Sequence, residues 1–220
     1  MLKAYWNEIK QFDAKAFIII IWSTFLLLFT VYFRRVTLFF PDHRFLDQLI
    51  VSGVIYLIGP LILLPFFKYK LKDFGIQLGN VKQWIKEMLV FFMIMAVILV
   101  VVFKFTNLKQ IYPLFREARV NVNYFIIYEC VQLFHMLTWE FFFRGFMLFG
   151  LEKKYGKMSI LIQTIPFAIM HFRKPALEAY GAIFAGIFQG TLGLRSRSFL
   201  PCALLHFLVA LAADLLGILW

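Results

Sequence analysis

Glu140 and Arg144 stand four residues apart in the run Thr138-Trp139-Glu140-Phe141-Phe142-Phe143-Arg144-Gly145. That spacing puts an acid and a base on one helical face. The surrounding run is apolar and long enough to lie in a lipid bilayer. An ionisable pair at that depth is either part of a functional site or a structural ion pair tying helices together. Two imidazoles occupy similar surroundings: His171 ends Phe167-Ala168-Ile169-Met170-His171, and His206 lies in Leu204-Leu205-His206-Phe207. A carboxylate and two imidazoles meeting in a dry cavity supply what peptide hydrolysis needs. One group takes a proton from water, another orients that water, and a third donates to the oxyanion of the tetrahedral intermediate.

The elements that carry these residues are read first from composition. Of 220 residues, 62% are hydrophobic and 16% charged, and the mean hydropathy is +0.81. An ordinary water-soluble domain does not reach such values, so the chain reads as an integral membrane protein. The formal net charge of +11 sits in short segments between apolar runs, where anionic headgroups and the positive-inside effect account for it. No motif or basic helix suggests nucleic acid. Cys130 and Cys202 fall within predicted spans and form no disulfide framework or metal-ligand spacing. The N-terminus, with Lys3, Glu8, Lys10, Asp13 and Lys15 before an apolar run, has no small-residue cleavage pattern and reads as a retained helix.

Seven apolar segments follow in order. The first covers residues 17–33, and Arg34, Arg35, Asp42, His43 and Arg44 then make a polar connection containing Pro41. The second, 46–67, holds Gly59-Pro60 and Pro65, which predict a kink. Lys68, Lys70 and Lys72 alternate with Tyr69 and Leu71 as an interfacial segment with a solvated basic face. The third, 84–105, is free of ionisable residues between Glu87 and Lys104 and predicts a lipid-facing wall. The connection 106–123 is the longest, either a lid or an amphipathic connector.

The fourth segment, 124–151, exceeds what a bilayer requires and carries Glu129, His135, Glu140 and Arg144. At about 100° per residue, Glu129 and Glu140 return to nearly the same face and Arg144 lies about 40° from Glu140. His135 shares a face with Trp139 and reads as a hydrogen-bonded core histidine. Ser159 is placed to cap the short fifth segment, 160–172, which ends near His171. The sixth, 177–194, contains Gly181, Gly186, Gly190 and Gly193, small residues that let helices approach closely. The last begins near Pro201 and runs through His206 and Asp214 to Trp220. Assigning connections alternately to two sides gives thirteen Lys and Arg on the N-terminal side against nine opposite, which favours a cytoplasmic N-terminus.

The order ExxxR, then FxxxH, then a histidine in a last helix resembles the CAAX protease and bacteriocin-processing (Abi) family over roughly residues 124–214. The surroundings Phe141-Phe142-Phe143-Arg144-Gly145-Phe146 and the glycine-rich helix before Leu194-Arg195-Ser196-Arg197-Ser198 belong to the same resemblance. It implies an all-α, polytopic bundle of about seven to eight membrane helices, one integral membrane domain over 1–220 with a protease-like core at 124–215. It further implies a glutamate-dependent intramembrane endopeptidase without cofactor, acting on a membrane-associated and in some members lipidated protein or peptide. In a prokaryote its place would be the plasma membrane. Glu140 matches the second glutamate of the family's EExxxR, Arg144 the arginine, Phe167 and His171 the second motif, and His206 the third. Two positions depart from the pattern: Trp139 stands where the first glutamate is usual, and Ala210 where HxxxN has asparagine. Asp214, eight residues after His206 and about 80° round the helix, is a candidate polar partner.

A one-residue shift of a carboxylate rotates it about 100°, so Glu140 cannot take the place of Trp139 without a local change of helix geometry. Four readings follow. In the first, Glu140 is the general base, held by Arg144, His171 orients water and His206 stabilises the oxyanion. In the second, the chain is a catalytically silent relative that binds a membrane partner. In the third, Glu140, His171 and His206 hold zinc, although no HExxH pair is present. A proton-relaying transporter using Glu129, Glu140 and Asp214 is the fourth, and no internal repeat supports it.

Overall fold

A hydrophobic chain in a bilayer must satisfy its backbone polar groups internally, and helices do so within each segment. In the computed structural model, which describes residues 2–33 and 37–220, every regular element is helical. Arg34 and Arg35 of the first connection lie outside the described residues, as does the side chain of Lys3. The elements are α1 (Leu2–Ile9), α2 (Ala14–Phe33), α3 (Arg44–Phe67), α4 (Val81–Phe105), α5 (Leu108–Ile111), α6 (Val122–Glu140), α7 (Gly150–Tyr155), α8 (Met158–Ile169), α9 (Ala176–Ser196) and α10 (Leu200–Leu219). A π-helical stretch, Phe141–Phe149, joins α6 to α7 in one rod. Among the described residues α2, α3, α4 and α10 are each long and apolar enough to cross a membrane. The chain is an all-α, multi-pass membrane bundle, and the seven apolar segments appear in the expected order.

Local chemistry fixes the helix ends. Asp13 accepts the Ala16 N–H at 2.9 Å and caps α2. The fully buried Asp47, in the first turn of α3, accepts the backbone N–H groups of Leu38, Phe39 and Phe40 and ties the preceding connection down. α3 stays helical through Pro60 and Pro65. Beside Pro60, the bare Cα of Gly59 lets Leu26 of α2 pack in, and Trp22 donates to the Gly59 carbonyl at 2.9 Å. Ser159 does not cap α8. Its hydroxyl donates back to the Gly156 carbonyl at 2.7 Å from inside the first turn.

The rod from α6 to α7 is the axis of the bundle. Phe142, Phe143, Phe146 and Leu148 are all completely buried, and α3, α8, α9 and α10 pack around the rod. α4 is the outer wall, with Val90, Met93, Ile94, Val97, Ile98, Val100 and Val101 exposed along it. α8 and α9 approach closely because Gly186 sits against Thr164 and Gly190 against Gln163 and Ile160. Gly181 meets open space and takes no part in that contact.

The long connection between α4 and α6 is fastened at several points. Tyr112 is buried, its hydroxyl donates to Glu178 of α9, and its carbonyl accepts from Arg119. Burial, with the Glu178 carboxylate beside it, holds the Tyr112 phenol above its ordinary pKa, so it remains a donor. Leu108, Tyr112 and Leu114 thereby close one side of an internal cavity.

Candidate active site

Glu140 is the last residue of α6 and is completely buried, facing α10. Its Oε1 lies 2.6 Å from Nδ1 of His206. Arg144 Nη1 donates to the same carboxylate at 3.0 and 3.2 Å. With the Gln189 amide nitrogen turned toward it, that side chain of α9 donates to both Glu140 oxygens at 3.1 Å. A buried carboxylate needs such donors, because an unpaired charge inside a bundle is far costlier than a paired one. The Arg144 guanidinium, itself fully buried, stacks on the Phe167 ring with Cζ 4.0 Å from the centroid. Its Nε and Nη2 have no hydrogen-bond partner among the described residues.

His171 lies in the turn just after α8, two residues past its last residue Ile169, and its N–H bonds three residues back to the Ala168 carbonyl. Its Nδ1 is 2.8 Å from the Phe167 carbonyl. Since that oxygen can only accept, Nδ1 carries the proton and Nε2 keeps its lone pair. The same logic applies to His206, whose Nδ1 donates to Glu140. The two imidazole rings are nearly parallel, 6.4 Å between centroids. Phe167 sits between them and Arg144, with ring centroids 4.7 Å from His171 and 6.0 Å from His206.

Both imidazoles line a cavity of about 720 Å³, together with Trp139, Gln189 and Ala210. Glu140 does not line it: the cavity reaches Glu140 only through His206 and Gln189. The reason is helical register. α6 remains α-helical through Glu140, so Trp139 faces the cavity and Glu140 faces α10. The change of helix geometry needed to move a carboxylate round the helix is present as the π-helical stretch, but it begins at Phe141. It therefore resets Arg144 relative to Glu140 and leaves the Trp139–Glu140 order untouched. Trp139 packs edge-on against Tyr56 at 5.3 Å and against His171 at 6.0 Å.

Asp214 lies apart from this group. It is buried and accepts from Gln132 Nε2 at 2.9 Å, while its Oδ1 has no hydrogen-bond partner among the described residues. Glu129 and Glu140 both face α10, at different heights. His135 bonds the Leu49 carbonyl at 3.0 Å as a core histidine does, although its ring also reaches the cavity. Among the described residues, no three His, Cys, Asp or Glu side chains converge as metal ligands. Sequence reasoning missed Gln189, whose signal was an isolated amide among the glycines of α9. It also missed Tyr112, Lys174 and Glu178, which form a polar cluster on the cavity wall.

Residues 121–212 match the family model described as type II CAAX prenyl endopeptidase Rce1-like. No curated protein and no solved structure matches the chain. Glu140, Arg144, Phe167, His171, Gln189 and His206 all fall inside the stretch that matches this family, within a multi-pass membrane protein.

Proposed function

We propose that this protein is an intramembrane endopeptidase of CAAX-protease type, hydrolysing a peptide bond of a membrane-associated substrate near the membrane face. The observation that carries the proposal is the Glu140–His206 contact of 2.6 Å, with His171 beside it on the same cavity wall. In this reading His206 Nε2, not Glu140 itself, takes the proton from water. Glu140 acts through the imidazole, fixing its tautomer and stabilising the imidazolium that forms. His171 Nε2 accepts a hydrogen bond from the same water and aims it at the carbonyl. The His206 imidazolium then faces the developing oxyanion and delivers its proton to the leaving amide nitrogen. Arg144 and Gln189 hold the Glu140 carboxylate, and Phe167 seats Arg144 and both imidazoles. The cavity wall built by Ile94, Met95, Ile98 and Leu99 of α4 suits an apolar or lipidated segment of substrate.

The test is cleavage of prenylated and unprenylated peptide libraries by the protein reconstituted in lipid. Glu140→Gln, His171→Ala and His206→Ala should each lower kcat/KM, with His206→Ala losing about 10²- to 10⁴-fold, the usual contribution of a positioned acid–base group. Full activity in a folded His206→Ala variant would reject this mechanism. A second reading, a catalytically silent member that binds a membrane partner, is favoured by the Trp139 indole standing against His171 where the family places a carboxylate. Under it the wild type cleaves nothing, yet retains a membrane protein or peptide in the cavity.

A further inference from the structure

At the end of the bundle where α2 begins and α3 finishes, four carboxylates are already engaged. Asp13 caps α2, and Asp73 accepts the Lys70 backbone N–H at 2.9 Å. Glu87 pairs with Arg195 at 2.6 Å, and Glu152 with Arg197 at 2.7 Å. Two ammonium groups at this end converge on an aromatic ring instead. Lys15 Nζ lies 4.2 Å and Lys153 Nζ 3.7 Å from the centroid of Tyr69, so the two nitrogens are at most about 8 Å apart. Among the described residues neither is in an ion pair. Lys15 donates to the Phe67 carbonyl at 3.2 Å, which fixes its direction.

The ring they share is held firmly. Tyr69 packs on Phe67 and on the fully buried Phe74, at 6.0 and 5.6 Å between centroids, and Phe74 stacks on Phe146 of the central rod. Three separate elements, α2, the α3–α4 connection and α7, thus bring two like charges to one place. The ring attracts each ammonium and does nothing to cancel their mutual repulsion. An anion with several acceptor oxygens cancels it, because each N⁺–H···O⁻ contact spans only about 2.7–2.9 Å and one phosphate can serve both lysines. Lys15 begins the spanning helix α2 and Tyr69 follows the end of the spanning helix α3, which puts the three residues near a membrane face, and the Lys and Arg excess assigned to that side fits an anionic leaflet.

We propose that Lys15, Lys153 and Tyr69 form a binding site for a phosphate group, and that this phosphate belongs to an anionic phospholipid headgroup. The site is independent of the hydrolytic reading. Its test uses the full chain in nanodiscs of phosphatidylcholine with or without phosphatidylglycerol, followed by thermal unfolding and native mass spectrometry of retained lipid. Phosphatidylglycerol should raise the Tm of the wild type and stay bound. The K15Q/K153Q double variant should bind it about twenty-five-fold more weakly, the product of about fivefold for each ammonium facing an anionic headgroup. The K82Q/K86Q variant removes the same charge from the same end and should behave as wild type. Equal loss in both double variants, or equal lipid retention by K15Q/K153Q and wild type, would overturn the proposal. A third arm adds inorganic phosphate or glycerol phosphate to phosphatidylcholine nanodiscs. A K15- and K153-dependent rise in Tm there, without one from phosphatidylglycerol, would assign the site to a soluble phosphate and overturn the lipid assignment.

Discussion

Trp139 and Glu140 are adjacent in the chain but serve different neighbours: the indole stands edge-on to His171 at 6.0 Å, whereas the carboxylate reaches His206 at 2.6 Å. The cavity therefore has an aromatic ring where a second acid would stand, and Ala210 leaves room on the same wall. Trp139→Glu, alone or with Ala210→Asn, places a carboxylate against His171 while Glu140 keeps its pairing. We expect kcat/KM for peptide cleavage to rise about a hundredfold, the lower end of what a positioned acid–base group contributes. A folded variant with no gain would show that Trp139 does not stand in the way of chemistry.

The Glu140–Arg144 pair is a second point of leverage, since both side chains are completely buried. Removing one partner of such a pair strands the other. Arg144→Ala is expected to cost about 3–5 kcal/mol, read as a lower Tm or denaturant midpoint in detergent. Glu140→Gln with Arg144→Met neutralises both and should recover much of that loss without recovering cleavage. If the double variant is no more stable than Arg144→Ala, the pair does not act as a unit.

What was legible in the sequence was what period and polarity encode. The seven apolar segments, the outer wall of α4, the polar role of His135 and the shared face of Glu129 and Glu140 all follow from spacing along a regular helix. The π-helical stretch from Phe141 to Phe149 does not, because a run of aromatic residues reads the same with four or five residues between hydrogen-bonded groups. Gln189 was hidden for a different reason: its meaning depends on how α9 lies against α8 and the rod, a placement made by Gly186, Gly190 and Gly193 that leaves only a weak trace of direction. For Glu140 to be a base in direct contact with water, all three ionisable side chains would have to face one cavity. The structure puts His171 and His206 on that wall and Glu140 behind it.

Helix α10 meets a second acidic site at Asp214. Glu129 is buried near it, and among the described residues neither Glu129 oxygen nor Asp214 Oδ1 has a hydrogen-bond partner. Glu129→Gln supplies an amide N–H that can donate to the unpartnered Asp214 Oδ1, and should leave stability unchanged or raise it by about 1 kcal/mol, the net worth of one hydrogen bond. Asp214→Ala should instead lower it, since Gln132 loses its acceptor. Thermal unfolding of the two variants in the same lipid separates these outcomes. A clear loss in Glu129→Gln would mean that the carboxylate itself is required there.

The α8–α9 contact gives a prediction with its own internal control. A Cβ added at Gly186 would stand 2.7 Å from the Thr164 side chain, and one at Gly190 would stand 3.0 Å from Gln163 and Ile160, whereas at Gly181 it would meet nothing within 4 Å. Larger side chains at the first two positions must push α9 away from α8. That shift would carry Gln189 off the Glu140 carboxylate and break the Gln163 bond to the Gly186 carbonyl. Gly186→Leu should cost about 1–3 kcal/mol from overpacking alone and depress any cleavage further than its stability loss explains. Gly181→Ala should be neutral in both measurements, or slightly stabilising through helix propensity. If the two substitutions have equal effects, close approach of α8 and α9 is not what positions Gln189, and the glycines of α9 serve some purpose other than packing.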